Sequence, residues 1–173
     1  MKILHVHLSS LPIPPSDYGG TERIIWGLVT QQASQGHEVK VLVKNAPSSQ
    51  NAVHFIQYDP AAALEAQVQG WADIVHFHSP GFYDLKTPYL CTEHGQSAAS
   101  TRHPRNTVYL SSAHAQNHGV KFFIYNGLDW QHLGRPDLSA KRDRFHFLGK
   151  TKTVKKNLSG AIALAESAGE SLH

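Results

Sequence analysis

The chain has one cysteine, Cys91, and one methionine in 173 residues. A single thiol excludes an internal disulfide and suits a reducing compartment, so a cytoplasmic protein is expected. Charged residues are also scarce, at 17%, and the formal net charge is only +3. That is too mild a balance to argue for a nucleic-acid partner. No apolar run approaches the ~20 residues a membrane span requires. The opening "MKILHVHLSS" carries one lysine and a short apolar stretch. It lacks the longer apolar region of a signal peptide and reads as a first strand. Internal repeats and low-complexity tracts are missing too. What remains is a globular composition, 40% hydrophobic, long enough for one compact core and short for two.

Histidine, by contrast, is abundant, with 13 residues. Two pairs have HxH spacing, His5/His7 and His76/His78. On a strand, residues two apart point to the same face, so such a pair could bind a metal. A metal-dependent hydrolase that uses these pairs is one reading. Against it, no carboxylate or third histidine has ligand spacing near either pair, so no metal site is expected. Histidines inside strands more often serve as hydrogen-bonded core or cleft residues. Basic residues gather late, in "KRDRFHFLGKTKTVKK" (Lys141 to Lys156), with Asp143 as the single acid. This is either a solvated surface or a site for an anionic group or membrane surface.

Apolar runs and turn signals alternate along the chain. "KILHVHL", "EVKVLV", "VHFIQY", "DIVHFH", "PYLCTEHG", "TVYLSS", "KFFIYNG" and "FHFLGK" read as strands. "TERIIWGLVTQQASQG", a short helix at or after Pro60, "SAHAQNHG" and "NLSGAIALAESAG" read as helices. Strands alternating with helices predict an α/β fold: a Rossmann-like parallel sheet with helices on both faces. In such sheets ligands bind beyond the carboxyl ends of the strands. The chemically interesting residues fall there: the Pro/Gly loop after the first strand, "HSPG", "EHGQ" and "YNGLD".

One detail calls for its own reason. Gly19 and Gly20 stand together immediately before an amphipathic helix, where Thr21 alone could cap. Either the loop needs a positive φ, or an anion approaches the free N–H groups and the positive end of the helix dipole.

The ordered set "YGGTERIIWGLV…QGHEVKVLV", "ADIVHFHS", "TPYLCTEHG", "VYLSSAHAQ", "IYNGLD" and "FHFLGK…KKNLSGAIALAESAG" resembles retaining glycosyltransferases of family 4, with the two-domain GT-B fold. The resemblance covers essentially the whole chain, which looks like one half of a GT-B fold. It implies an N-terminal acceptor-side domain over 1–130, a link over 131–144, and the first strand and helix of a truncated donor-binding domain over 145–173. The acidic donor motif of the family would lie beyond His173.

The resemblance also implies roles. Gly19, Gly20 and Thr21 would approach the diphosphate of a nucleotide sugar. His94, with Gly95 beside it, would orient or stabilise the reacting sugar, without covalent chemistry. Lys150, in the place of a family arginine, and Lys156 would neutralise the leaving diphosphate. Asn126, Gly127 and Asp129 would form a structural turn. No cofactor is implied beyond the nucleotide-diphosphate sugar as substrate, with a glycan, lipid or small-molecule hydroxyl as acceptor. Such a fragment would be inactive alone unless a second polypeptide supplied the donor domain. A non-catalytic binding or assembly module is the alternative, and peripheral membrane contact stays open.

Overall fold

The computed structural model describes residues 1–47, 53–128, 134–139, 144–149 and 151–173. It divides into two compact units, Met1–His132 and Leu133–His173.

The first unit is built on a six-stranded parallel sheet in the order β3-β2-β1-β4-β5-β6. The strands are β1 (Lys2–His7), β2 (Glu38–Val43), β3 (His54–Gln57), β4 (Ile74–Phe77), β5 (Tyr89–Thr92) and β6 (Thr107–Val108). The helices are α1 (Gly20–Ser34), α2 (Leu64–Val68) and α3 (Ser112–Asn117). This is the α/β, Rossmann-like parallel sheet with helices on both faces that the alternation of elements predicts.

The two-residue period of the strands sorts the core into two layers. Val39, Val41 and Val43 of β2 face α1, where they meet Ile25 and Val29, both fully buried. Leu4 and Val6 of β1, Val75 and Phe77 of β4, and Cys91 of β5 face the other way, toward Leu64, Val68 and Trp71. Helices α1 and α2 therefore cover opposite faces. Each fully buried aliphatic side chain stabilises the fold by about 1.5–3 kcal/mol. The alternation also decides where the histidines go. With Leu4 and Val6 in the α2 layer, His5 and His7 must point to the α1 face. With Val75 and Phe77 there, His76 and His78 share that face.

Several boundaries differ from expectation. Helix α1 starts at Gly20, and its N-cap is Gly19, without a side-chain cap bond; Thr21 lies inside the first turn. Helix α2 starts at Leu64, after Pro60 as expected. "KFFIYNG" forms no strand. Ile124 N–H donates to Tyr109 O at 2.9 Å, and Phe122, Ile124 and Tyr125 stay more than half exposed, so no packing rewards a longer ladder.

In the second unit, α4 (Leu158–Ala168) follows a single 3₁₀ turn, Val154–Lys156. Asn157 sits in the left-handed region at φ 54° and accepts from Gly160 N–H at 3.2 Å, capping α4. A Cβ on Gly160 would collide with that carboxamide, which explains the glycine. "FHFLGK" yields one parallel bridge, Phe145 to Leu172, extended by Phe147 N–H to His173 O at 2.8 Å.

Candidate functional site

The sheet order places the site. From β1 the chain runs outward through β2 and β3, then returns to lay β4 against the other side of β1. The crevice between β1 and β4 is thus the topological switch point, where ligands of open α/β sheets bind. Strand register puts His5 directly opposite His76 there. Two HxH pairs laid side by side become one imidazole patch.

The expectation that neither pair finds a third histidine is overturned. Nitrogens of His5, His76 and His78 lie within 4.8 Å of one another, and all three residues are buried. Imidazoles so grouped could hold a transition metal. Five of their six ring nitrogens are, however, already engaged with protein partners. His5 Nε2 is 2.7 Å from Gln32 Oε1, and His5 Nδ1 is 3.0 Å from His78 Nε2. His78 Nδ1 is 2.9 Å from His94 Nε2, and His76 Nε2 is 2.7 Å from Thr92 Oγ1. Burial disfavours the charged ring. It lowers His5 and His94 to about 4 and His76 to about 3, and holds His78 well below its ordinary value. The patch is neutral at physiological pH.

Helix α1 covers only the β1–β2 side of this face. Over β4, β5 and β6 the face opens into a cleft of about 890 Å³. His76, His78, Thr92 and His94 supply polar groups to its wall, while Ile24, Leu28, Leu90, Val108 and Leu110 make much of it apolar. A largely apolar wall with a few convergent polar groups is the usual make-up of a small-molecule site.

The start of α1 is organised by Glu22, which the sequence marks only as a residue that favours the helix dipole. It is 4% exposed. Its Oε1 accepts from Ser9 Oγ–H at 2.9 Å and lies 3.0 Å from His7 Nε2. Burial alone would raise its pKa, but the bonds from His7, its own backbone N–H and Ser9 outweigh burial and lower it. One of the free N–H groups of the first turn is therefore already answered within the chain.

The two glycines separate. Gly19 has φ 153°, and a Cβ there would meet Pro15 Cβ at 2.7 Å and Glu22 Oε2 at 3.0 Å. Its own loop requires it. Gly20 is exposed, and nothing lies within 4 Å of where its Cβ would stand. Of the other expected residues, His94 joins the cleft wall, and Gly95 is exposed just beyond it. Thr21 is half-buried. Lys156 is exposed in the second unit; Lys150 and Asp129 lie outside the described residues. Asn126 and Gly127 line the cleft, although a purely structural turn is expected of them. Sequence reasoning missed Gln32 and the joint use of His5 and His78. The available signal was the pair of HxH motifs, one on the first strand and one on a later parallel strand.

A second histidine group surrounds Tyr109, which is 3% exposed. His103 Nδ1 lies 3.0 Å from Tyr109 OH, and the His118 ring stacks on Tyr109 at 4.9 Å between centroids. His114 Nε2 and Thr107 Oγ1 are buried without a hydrogen-bond partner among the described residues.

Among the described residues no helix is long and apolar enough to cross a membrane. No protein-family model matches the chain, and no curated protein matches it. Among solved structures it is similar in fold to AviGT4, a glycosyltransferase involved in avilamycin A biosynthesis, at a TM-score of 0.75 and 24% identity. The match covers 99% of this chain and 55% of that one, so the chain spans about half the length of this neighbour and has its glycosyltransferase-like fold.

Proposed function

We propose that this chain is the acceptor-side part of a retaining glycosyltransferase that moves a sugar from a nucleotide-diphosphate sugar to an acceptor hydroxyl. The observation that carries this reading is the convergence at the switch point. The carboxyl ends of β4 and β5, His94 and the cleft meet on the face that α1 leaves open, beside the switch point between β1 and β4. The likeness in fold to a glycosyltransferase supports it.

In this reading the acceptor occupies the cleft and His94 orients the sugar through a neutral ring. The first turn of α1 receives the diphosphate at Gly20, where the missing Cβ leaves open space and N–H groups. Glu22 does not repel that anion fully, because His7 and Ser9 engage its carboxylate. The diphosphate role of Lys150 and Lys156 rests on the sequence resemblance alone.

Titration calorimetry with nucleoside diphosphates tests the reading. Binding that weakens about tenfold in Gly20→Val and survives in Gly36→Ala is expected; tenfold corresponds to about 1.4 kcal/mol. Equal binding by both variants sinks the diphosphate assignment. Transfer from a nucleotide sugar, assayed with and without a polypeptide carrying a donor-binding domain, decides whether the chain turns over alone.

A further inference from the structure

Gln32, His5, His78 and His94 form one hydrogen-bonded row, from the side chain of α1 to the wall of the cleft. Each bond in the row fixes the next. A neutral imidazole has one N–H and one lone pair, on opposite nitrogens. Gln32 turns its carbonyl Oε1 to His5, so His5 carries its proton on Nε2 and offers a lone pair at Nδ1. His78 must then donate from Nε2 to His5 Nδ1, which leaves His78 Nδ1 as an acceptor. His94 must donate from Nε2 to His78 Nδ1. The last ring in the row then has a lone pair at Nδ1, for which no partner exists among the described residues.

We propose that Gln32 is a positioning residue: acting through His5 and His78, it holds the proton of His94 on Nε2 and leaves Nδ1 as a hydrogen-bond acceptor for a hydroxyl of the ligand. The consequence for a hydroxyl of the sugar rests on the reading of the cleft given above; the proton arrangement does not. The lowered pKa of His5, His78 and His94 agrees with neutral rings throughout the row.

Gln32 suits the task because it is the one member of the row that is not an imidazole. If its amide turned over, Nε2 would donate to His5, and each proton in the row would move to the other nitrogen. His94 would then carry its proton on Nδ1 and could not accept from a hydroxyl there. The polarity of the whole row is thus set on the helix, three bonds along the row from His94.

The metal alternative makes the opposite demand. A tetrahedral ion with Zn–N bonds of about 2.0–2.1 Å needs lone pairs from His5, His76 and His78 converging on one point. The 3.0 Å contact between His5 Nδ1 and His78 Nε2 instead places a proton between them.

The test is a long-range proton–nitrogen spectrum of the full chain with ¹⁵N-labelled histidine, assigned by single His→Gln variants, at pH 7. His5, His78 and His94 are each expected as a single neutral form protonated on Nε2. Gln32→Glu, which can only accept, keeps that pattern. Gln32→Met, which keeps the length and the helix preference without the carbonyl, loses it, and His94 becomes a mixture of both forms. A His94 protonated on Nδ1 in the wild type, or an unchanged His94 in Gln32→Met, overturns the proposal. So does stoichiometric metal in the purified protein with the Nε2–H signals of His5 and His78 gone. Failure of nucleotide sugars to bind, with the expected spectra intact, would defeat the reading of the cleft and leave the proton row standing.

Discussion

The molecule holds two histidine groups of similar size, built on different principles. His5, His76 and His78 are placed by strand register and are almost completely buried. His103, His114 and His118 gather around Tyr109 from a loop and from the α3 region, His103 and His118 by stacking and His114 edge-on. In the first group each bond from His5 through His78 to His94 constrains the next, so that row has a direction, while His76 pairs with Thr92 beside it. In the second, Ser97 Oγ lies within reach of both His103 and His118, at 3.3 and 3.5 Å, and His114 Nε2 has no partner among the described residues. Parallel strands in register can specify a directional polar array. A cluster on a loop and a six-residue helix fills space around a phenol instead.

Acid should separate the groups most strongly. The lowered pKa values mean that the unfolded chain binds more protons than the folded one between pH 6.5 and about 4. Stability is complete above that window and falls as pH drops through it. His5 contributes on the order of 3 kcal/mol to the fall. Glu22, also lowered, adds its loss below pH 4.5. Urea denaturation at pH 7 and pH 4.5 measures the difference, and a flat profile would mean that the row is hydrated.

Next in size is the cost of removing a ring. His78→Ala opens a cavity and deprives His5 and His94 of their partner, so about 3 kcal/mol of stability should be lost. His118→Ala, which loses chiefly its stacking on Tyr109, should cost about 1 kcal/mol. Comparable urea midpoints for the two variants would erase the distinction between array and stack.

The fold is legible in the sequence wherever one period dominates. Alternation in "KILHVHL" and "EVKVLV" gives the central strands, and the spacing of Ile25 and Val29 gives the buried side of α1. "KFFIYNG" fails because β-forming residues need a packed face, which the exposed Phe122 and Tyr125 do not have. The resemblance singles out His94, which lies in the cleft wall, whereas nothing in the sequence singles out Gln32. Its role depends on the rotation of α1 over β1, and nothing near it in sequence reports that. His5 and His78 are 73 residues apart and meet only because β4 returns to β1. Spacing rules search along the chain and cannot see this pair.

The two adjacent glycines carry the same contrast at smaller scale. Gly19→Ala, strained at φ 153° and crowded by Pro15, should cost about 1–3 kcal/mol. Gly20→Ala, in open space at a helix start, should change stability by about 0.5 kcal/mol or less. Thermal melts of both check this, and equal losses would return both glycines to a purely structural role. An effect of the opposite sign should come from the edge of the sheet near Tyr109. Thr107→Val removes a buried hydroxyl that has no partner among the described residues and should be neutral or stabilising by up to about 1 kcal/mol.

Strand β1 sits between β2 and β4, yet it precedes both in the chain. During synthesis it leaves the ribosome before either neighbour. One of its edges waits for Glu38–Val43, the other for Ile74–Phe77. For that interval the run "ILHVH" offers open backbone to whatever it meets, and apolar strands so exposed are where chains associate wrongly. His5 and His7 interrupt the aliphatic run on one face. The residues that organise the finished site would thus also make its central strand more soluble while it waits.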